Sequence, residues 1–280
     1  MNSYKTIAIL MATFNGEKYL AEQIDSLLAQ TYQDWHLYIH DDGSKDKTID
    51  IINAYIGKYP DRITLLEYPS QGSACRNFLS MLERVEAPYY MFCDQDDIWI
   101  SDKIEKSMQA IQTVEKRYGD IPVVVHTDLR IIDCNKNILR ESFFNFANIH
   151  PERIKHYQEY VQNVVTGSTM LFNRKARASS LRVSACSATM HDAWVTLRAV
   201  ADGGVRFTIF EPLVCYRQHA ENVLGAQDGR RFTLSYRLSH FSEMLKMNID
   251  HFWMMRSAGQ IGLHTFIKNK YLVFKNSKQE

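Results

Sequence analysis

The first clear signal along the chain is "TIAILMATF", a run that is apolar at nearly every position. That pattern belongs to a short strand covered on both faces rather than one exposed on one side. "EKYLAEQIDSLLAQ" follows, and its Leu20, Ile24, Leu27 and Leu28 recur at helical spacing. The alternation then repeats. "WHLYIH" reads as a strand running into "DDGSKDKT", where Ser44 is expected to cap a helix carrying Ile49, Ile51, Ile52 and Tyr55. "RITLLEY" is a third strand, and "CRNFLSMLERV" a helix with Phe78, Met81 and Leu82 inward. "YYMFC" is a fourth strand, "DKIEKSMQAIQTVEKRYG" a long helix stopping at Gly119, and "PVVVHTD" a fifth strand. Strands separated by helices predict an α/β fold, a mostly parallel central sheet flanked by helices on both faces. Such sheets bind ligands beyond the carboxyl ends of their strands.

Composition changes this picture only at the margins. The chain has 280 residues, 45% of them hydrophobic, enough for a well-buried core in one large domain or a domain with an appendage. A net charge of +1 gives no reason to expect a nucleic-acid partner. The cysteines, Cys75, Cys93, Cys134, Cys186 and Cys215, are odd in number, lie far apart and form no CxxC pair. A reducing cytoplasm suits them better than a disulfide framework or a zinc site. "MNSYKTIAIL" lacks a signal-peptide core, and no apolar run is long enough to span a bilayer.

The candidate chemistry falls at strand carboxyl ends. Thr13, Phe14 and Asn15 follow the first strand, Asp41 and Asp42 the second, and Asp94 to Asp96 the fourth. A parallel sheet gathers such ends on one rim. "YYMFCDQDDIWI" raises a question of its own, because it places Asp94, Asp96 and Asp97 within four residues between two apolar runs. Crowded carboxylates repel and lose hydration. They either sit in water at a turn or are held by something positive. Two aspartates one residue apart can offer oxygens to one Mg²⁺ or Mn²⁺, which often bridges phosphates. The bland reading is a turn with a helix cap for "DDGS" and a solvated loop for "DQDD". The residues alone lead to metal-dependent phosphate-ester chemistry on a parallel sheet.

"MATFNGEKYLAEQIDSLLAQTY", "DDGSKDKT", "GSACRNF" and "CDQDDIW" together resemble the nucleotide-sugar half of glycosyltransferase family 2, with the GT-A fold. The likeness continues through "VVTGSTMLFNR", "MHDAWVTLRA" and "YRQHAENVLG", and these blocks most resemble bacterial rhamnosyltransferases of cell-surface polysaccharide synthesis. The resemblance implies a GT-A domain over 1–225, with a nucleotide-sugar half at 1–100 and an acceptor half at 101–225. It implies an inverting transfer of a sugar from a nucleoside diphosphate to a hydroxyl. Residue by residue, it puts Thr13, Phe14, Asn15, Asp42, Arg76, Asn77, Asp94, Gln95 and Arg217 at the donor. Asp42 matches the aspartate that reads a pyrimidine ring, and a carboxylate suits the imide N–H of uracil or thymine. Asp94, Asp96 and His219 match the metal ligands, Mg²⁺ or Mn²⁺. Trp99, Thr166, Gly167 and His191 fall on the acceptor side, and Asp192 matches the base. Asn222 is placed near the diphosphate. The donor implied is dTDP-β-L-rhamnose, with UDP-hexoses as the alternative, and the acceptor is a lipid-linked or polysaccharide glycan. Each of these residues also has a structural reading: Asp192 as a helix N-terminal charge, Trp99 as core, Arg76 as a solvated helix residue.

The tail, 226–280, departs from the pattern. Large apolar residues alternate there with Arg230, Arg231, Arg237, Lys246, Arg256, Lys268, Lys270, Lys275 and Lys278, against Asp228, Glu243, Asp250 and Glu280. A basic, aromatic helical extension suggests contact with the inner face of the bacterial membrane, or else closure of the core or a homodimer. Two other classes compete with a transferase. A nucleotidyltransferase would favour a Gly- and Lys-rich loop after the first strand, where "MATFNGEKYL" has one glycine. A non-catalytic nucleotide-sugar-binding module has no need of an intact DxD pair, Asp192 and His219.

Overall fold

The computed structural model describes residues 7–154, 161–219, 241–259 and 261–276. The alternation appears as expected in β1 (Ile7–Thr13), α1 (Leu20–Leu28), β2 (Trp35–Asp41), α2 (Thr48–Lys58), β3 (Ile63–Leu65), α3 (Ala74–Arg84) and β4 (Tyr89–Cys93). A short β5 (Ile98–Trp99) precedes α4 (Lys103–Tyr118), β6 (Val123–Ile132), β7 (Ile138–Arg140) and α5 (Phe143–Ala147). The chain continues through β8 (Met170–Asn173), α6 (Arg174–Leu181), α7 (His191–Ala201) and β9 (Val205–Arg217), and ends in two helices, α8 (Phe241–Gly259) and α9 (Leu263–Asn276). Gly119 stops α4 at φ +81°, a conformation L side chains rarely adopt.

One sheet runs β3-β2-β1-β4-β8-β6-β9-β5, with β7 beside β6. The pairs β1–β2, β1–β4, β2–β3 and β6–β9 are parallel, whereas β8 lies antiparallel to both β4 and β6. The strands β3, β2, β1, β4, β6 and β9 therefore point one way, and β5, β7 and β8 the other. The sheet is mixed, with its majority parallel.

The apolar run of β1 is divided between two cores by the two-residue period of a strand. Ile7, Ile9 and Met11 pack with Leu20, Ile24 and Leu27 of α1 and Ile104 and Met108 of α4. Ala8 and Leu10 pack on the other face with Phe78 and Met81 of α3 and Val195 and Ala199 of α7. A third cluster joins Trp194 and Leu197 of α7 to Met254, Met255 and Ala258 of α8 and Phe266 of α9.

Two local expectations change. Ser44 does not cap α2, which begins after Lys47. Its hydroxyl instead accepts the Asn15 N–H at 2.8 Å and donates to Asp41, while Asp46 accepts the Thr48 N–H at 3.0 Å. The long β9 is absent from the sequence reading because Glu211-Pro212 interrupts its pattern, at the place where its register against β6 shifts.

Candidate active site

The carboxyl ends of β1, β2, β4 and β9 share one rim of the sheet. Because β8 runs the other way, its amino end arrives there, led in by the tight turn Gly167–Thr169. Residues far apart in sequence thus meet at one edge.

At the ends of β1 and β2, loops are fastened to one another by short polar side chains. Asp41 accepts from the Thr13 hydroxyl (2.9 Å) and from the N–H groups of Gly43 (3.0 Å) and Ser44 (2.8 Å). Asn15, at φ +48°, accepts the Lys45 N–H at 2.8 Å. Asp42 is half-buried and accepts from the Ser70 hydroxyl at 2.9 Å and from the Gln71 N–H. Phe14 projects from the rim, 55% exposed. The Gln95 amide grips both sides of its backbone, accepting its N–H (2.9 Å) and donating to its carbonyl (3.0 Å). A Cβ at Gly16 would lie 2.3 Å from Gln95 Oε1, so glycine is what lets this clasp close. Gln95 therefore ties the β1 loop to the β4 loop rather than reaching outward. Arg76 is exposed on the first turn of α3. Asn77 does not face a donor: it is 1% exposed, and its amide exchanges hydrogen bonds with His40, at 2.8 Å to Nδ1 and 3.2 Å to the carbonyl.

The DQDD segment is held from beneath. Arg217, expected at the diphosphate, is 1% exposed. It donates from Nε to the Asp96 carbonyl (2.9 Å), from its backbone N–H to Asp97 Oδ1 (3.2 Å) and from Nη1 to the Cys134 carbonyl (3.3 Å), and it pairs with Glu22. These bonds hold the backbone of the carboxylate loop in place. Two residues on, His219 Nε2 lies 2.8 Å from Asp96 Oδ2. Burial, then the charges of Asp96 and Asp192, push Asp94 up to about 7. Asp97 is fully buried, and burial with the neighbouring Asp96 and Asp94 holds it well above the usual carboxylate range.

Trp99, expected beside a sugar, is 3% exposed in the core, with Lys103 Nζ 3.2 Å from its ring centre. Lys103 is a residue that sequence reasoning passes over. It is fully buried at the start of α4, and desolvation drives its pKa well down. The signal was present in "DIWISDK", where a lysine four residues after the tryptophan reads as helix surface.

Asp192 sits in the first turn of α7, where the helix dipole favours a negative charge. Its Oδ1 accepts the Ala193 N–H at 2.5 Å. Burial nonetheless raises its pKa to about 6, opposed by the N–H groups of Ala193 and Gly167. His191 turns inward rather than toward an acceptor. Its ring stacks on Phe78 (4.2 Å) and meets Phe92 edge-on (4.7 Å), and burial lowers its pKa to about 3. A Cβ at Gly167 would stand 2.6 Å from His191 Nε2, so the glycine is required by that ring. The Thr166 carbonyl closes the turn by accepting the Thr169 N–H (2.9 Å) and hydroxyl (2.7 Å). Asn222 lies outside the described residues.

The model of glycosyl transferase family 2 matches residues 8–179, a span that runs from β1 through most of α6. The chain belongs to this family. It is 36% identical over 105 residues to the dTDP-rhamnosyl transferase RfbG of Shigella flexneri, covering 36% of each chain. It is 32% identical over 123 residues to WfgD of Escherichia coli, a UDP-Glc:alpha-D-GlcNAc-diphosphoundecaprenol beta-1,3-glucosyltransferase, covering 42% of this chain and 46% of that one. The matches thus span less than half the length of these relatives. Among solved structures, a mannosyltransferase from Pyrobaculum calidifontis in complex with GDP-Man and Mn²⁺ superposes with a TM-score of 0.57 at 14% identity, covering 97% of this chain and 79% of that one. The fold is of the GT-A type.

As a family 2 member, the chain can be tested for its capacity to hold a divalent ion. Among the described residues, no group of three or more His, Cys, Asp or Glu is gathered closely enough to hold one alone. The expected trio of Asp94, Asp96 and His219 is therefore not a closed cage. Asp96 and His219 adjoin, and burial with the nearby charge of Asp96 penalises ionisation of Asp94. An open site of one or two carboxylates, completed by substrate phosphates and water, is how Mg²⁺ is usually held. The residues present fit that arrangement.

Proposed function

We propose that the chain is an inverting, metal-dependent glycosyltransferase that moves L-rhamnose from dTDP-β-L-rhamnose to a hydroxyl of a lipid-linked or polysaccharide acceptor. The observation that carries this reading is the juxtaposition of two carboxylate groups from distant parts of the chain. Asp94 and Asp96 follow β4, and Asp192 at the start of α7 accepts from Gly167 in the turn that leads into β8, the antiparallel neighbour of β4. A cation-binding pair beside a lone carboxylate is what single displacement of a diphosphate requires.

The donor lies along Thr13, Phe14 and Asn15, with its pyrimidine ring against Asp42 and Arg76 near its phosphates. Asp94, Asp96 and His219 would hold Mg²⁺ or Mn²⁺, which when bound neutralises charge on the departing diphosphate. Asp192 takes the proton of the acceptor hydroxyl as that oxygen attacks C1 from the face opposite the leaving group. With a pKa of about 6, roughly nine-tenths of Asp192 is ionised at pH 7, near the optimum for a general base. Thr166 and Gly167 border the acceptor side of this carboxylate. The likeness to RfbG supports the rhamnosyl donor. The likeness to WfgD supports a lipid-linked acceptor and keeps UDP-hexoses as the second donor class. No described helix is long and apolar enough to cross a membrane. Isothermal titration with Mn²⁺ present tests the donor: tighter binding of dTDP-rhamnose than of UDP-glucose is expected, and the reverse order would overturn the choice.

A further inference from the structure

The C-terminal hairpin presents two faces of different character. Its inner face is fixed to the body of the protein. Met254, Met255 and Ala258 of α8 are buried against Trp194 and Leu197 of α7, and the Ala258 carbonyl accepts from buried Arg198. The two helices are joined by Phe252 and Phe266, whose rings meet edge-on at 5.4 Å.

The outer face has the opposite polarity to that of an ordinary surface helix, which turns polar residues to water. Leu263, Ile267 and Tyr271 recur every four residues on α9, so they form one row, and Ile249 and Trp253 do the same on α8. All five are between 47% and 63% exposed. Single exposed apolar residues are normal, but aligned rows on two adjoining helices form a patch that marks an interaction site. Among the described side chains of these helices, Lys246, Arg256 and Lys268 are exposed, as is the acid Asp250.

We infer that the outer face of the α8–α9 hairpin docks on the surface of an anionic lipid membrane, with the aromatic and aliphatic rows in the interface and the cations at the headgroups. Tryptophan, tyrosine and lysine on one amphipathic surface are the chemistry of that boundary. A second copy of the chain is a poorer occupant, because a two-fold contact would set this cationic face against itself. The consequence reaches the active site through α7. That helix carries the hairpin on its side and Asp192 in its first turn, and its 11 residues make a rod of about 16 Å. Docking would therefore hold the base at a fixed height above the lipid, where a lipid-linked hydroxyl is presented. This last step rests on the functional reading above, whereas the docking itself does not.

The test uses the full chain and a variant, Leu263→Ser with Ile267→Ser and Tyr271→Ser, whose exposed positions leave the core intact. Co-sedimentation is measured with phosphatidylcholine vesicles, with and without phosphatidylglycerol. Wild type should partition onto the anionic vesicles, less so as salt rises, and the variant about tenfold less, with an unchanged melting temperature and unchanged donor affinity. Wild type that ignores anionic vesicles, or a variant that binds as wild type does, would overturn the proposal. So would light scattering showing a dimer that the variant abolishes. Vesicle binding by a protein that glycosylates no acceptor, even in detergent, would leave the docking face standing and remove the transferase reading.

Discussion

Replacing Asp192 by Asn should separate function from stability in opposite directions. The carboxyl is buried at the first turn of α7, and its pKa rises from 3.8 to about 6. That rise corresponds to about 3 kcal/mol of unfavourable charge burial once the group is ionised in both states. Because the folded-state pKa is the higher one, the stability this group contributes is fully present below pH ~4 and is lost as pH rises through about 6. Asn keeps the size, still accepts the Ala193 N–H and has no charge to bury, while the bonds that favour the ionised carboxyl are already contained in its pKa of about 6. The net expectation is a variant more stable than wild type by about 3 kcal/mol at pH 7.5, or about 6 °C in melting temperature. The gain should vanish near pH 4. Melts across this range, with EDTA present so that no ion binds, measure it directly. Transfer, meanwhile, should fall about a hundredfold or more, with donor affinity little changed. A variant that is less stable than wild type at pH 7.5, or one that keeps near-normal transfer, would refute the reasoning.

Other expectations follow from the same geometry. Asp96→Ala should abolish transfer while leaving the melting temperature within a few degrees, and excess EDTA should reproduce the loss in wild type; full activity in EDTA would exclude the divalent ion. Gly167→Ala should cost about 1–3 kcal/mol, since the new Cβ would stand 2.6 Å from a His191 ring wedged between Phe78 and Phe92. A double-mutant cycle with His191→Ala should show that most of this cost depends on the ring, and purely additive losses would contradict it. Trp99→Ala should unfold the protein by about 3–5 kcal/mol, whereas Trp99→Phe should leave donor KM unchanged, because the indole is core rather than sugar platform. Wild-type transfer should lose rate below pH about 6 as Asp192 protonates, and a flat profile would remove it from the base role.

Much of the fold was legible because its strands are short apolar runs and its helices carry regular apolar spacing. In β1 the absence of alternation itself announced a strand packed on both faces, and both cores are there. The direction of β8 was not legible. "TMLF" reads identically forward or reversed, and its antiparallel placement depends on partners remote in sequence. The site was legible as a set of positions and less so as roles. Asp42, Asp94 and Asp96 follow the ends of β2 and β4, where the alternation of strand and helix put them, and Asp192 opens α7. Asn77, Arg217, His191 and Trp99 were read outward but turn inward. For each of them the deciding contact, with His40, with the Asp96 carbonyl, with Phe78 or with Lys103, is made by a residue that no local pattern brings near. Gln95 was missed as a clasp for the same reason, because its partner Phe14 lies on another strand end.

The most direct test of the account is proton NMR of the reaction itself, with dTDP-β-L-rhamnose, a divalent ion and a polyprenyl-diphosphate-linked glycan in detergent. The wild-type enzyme should form an α-linked rhamnoside with release of dTDP, and neither the Asp192→Asn variant nor the EDTA-treated enzyme should do so. A β-linked product, or undiminished turnover by Asp192→Asn, would contradict single displacement with Asp192 as its base.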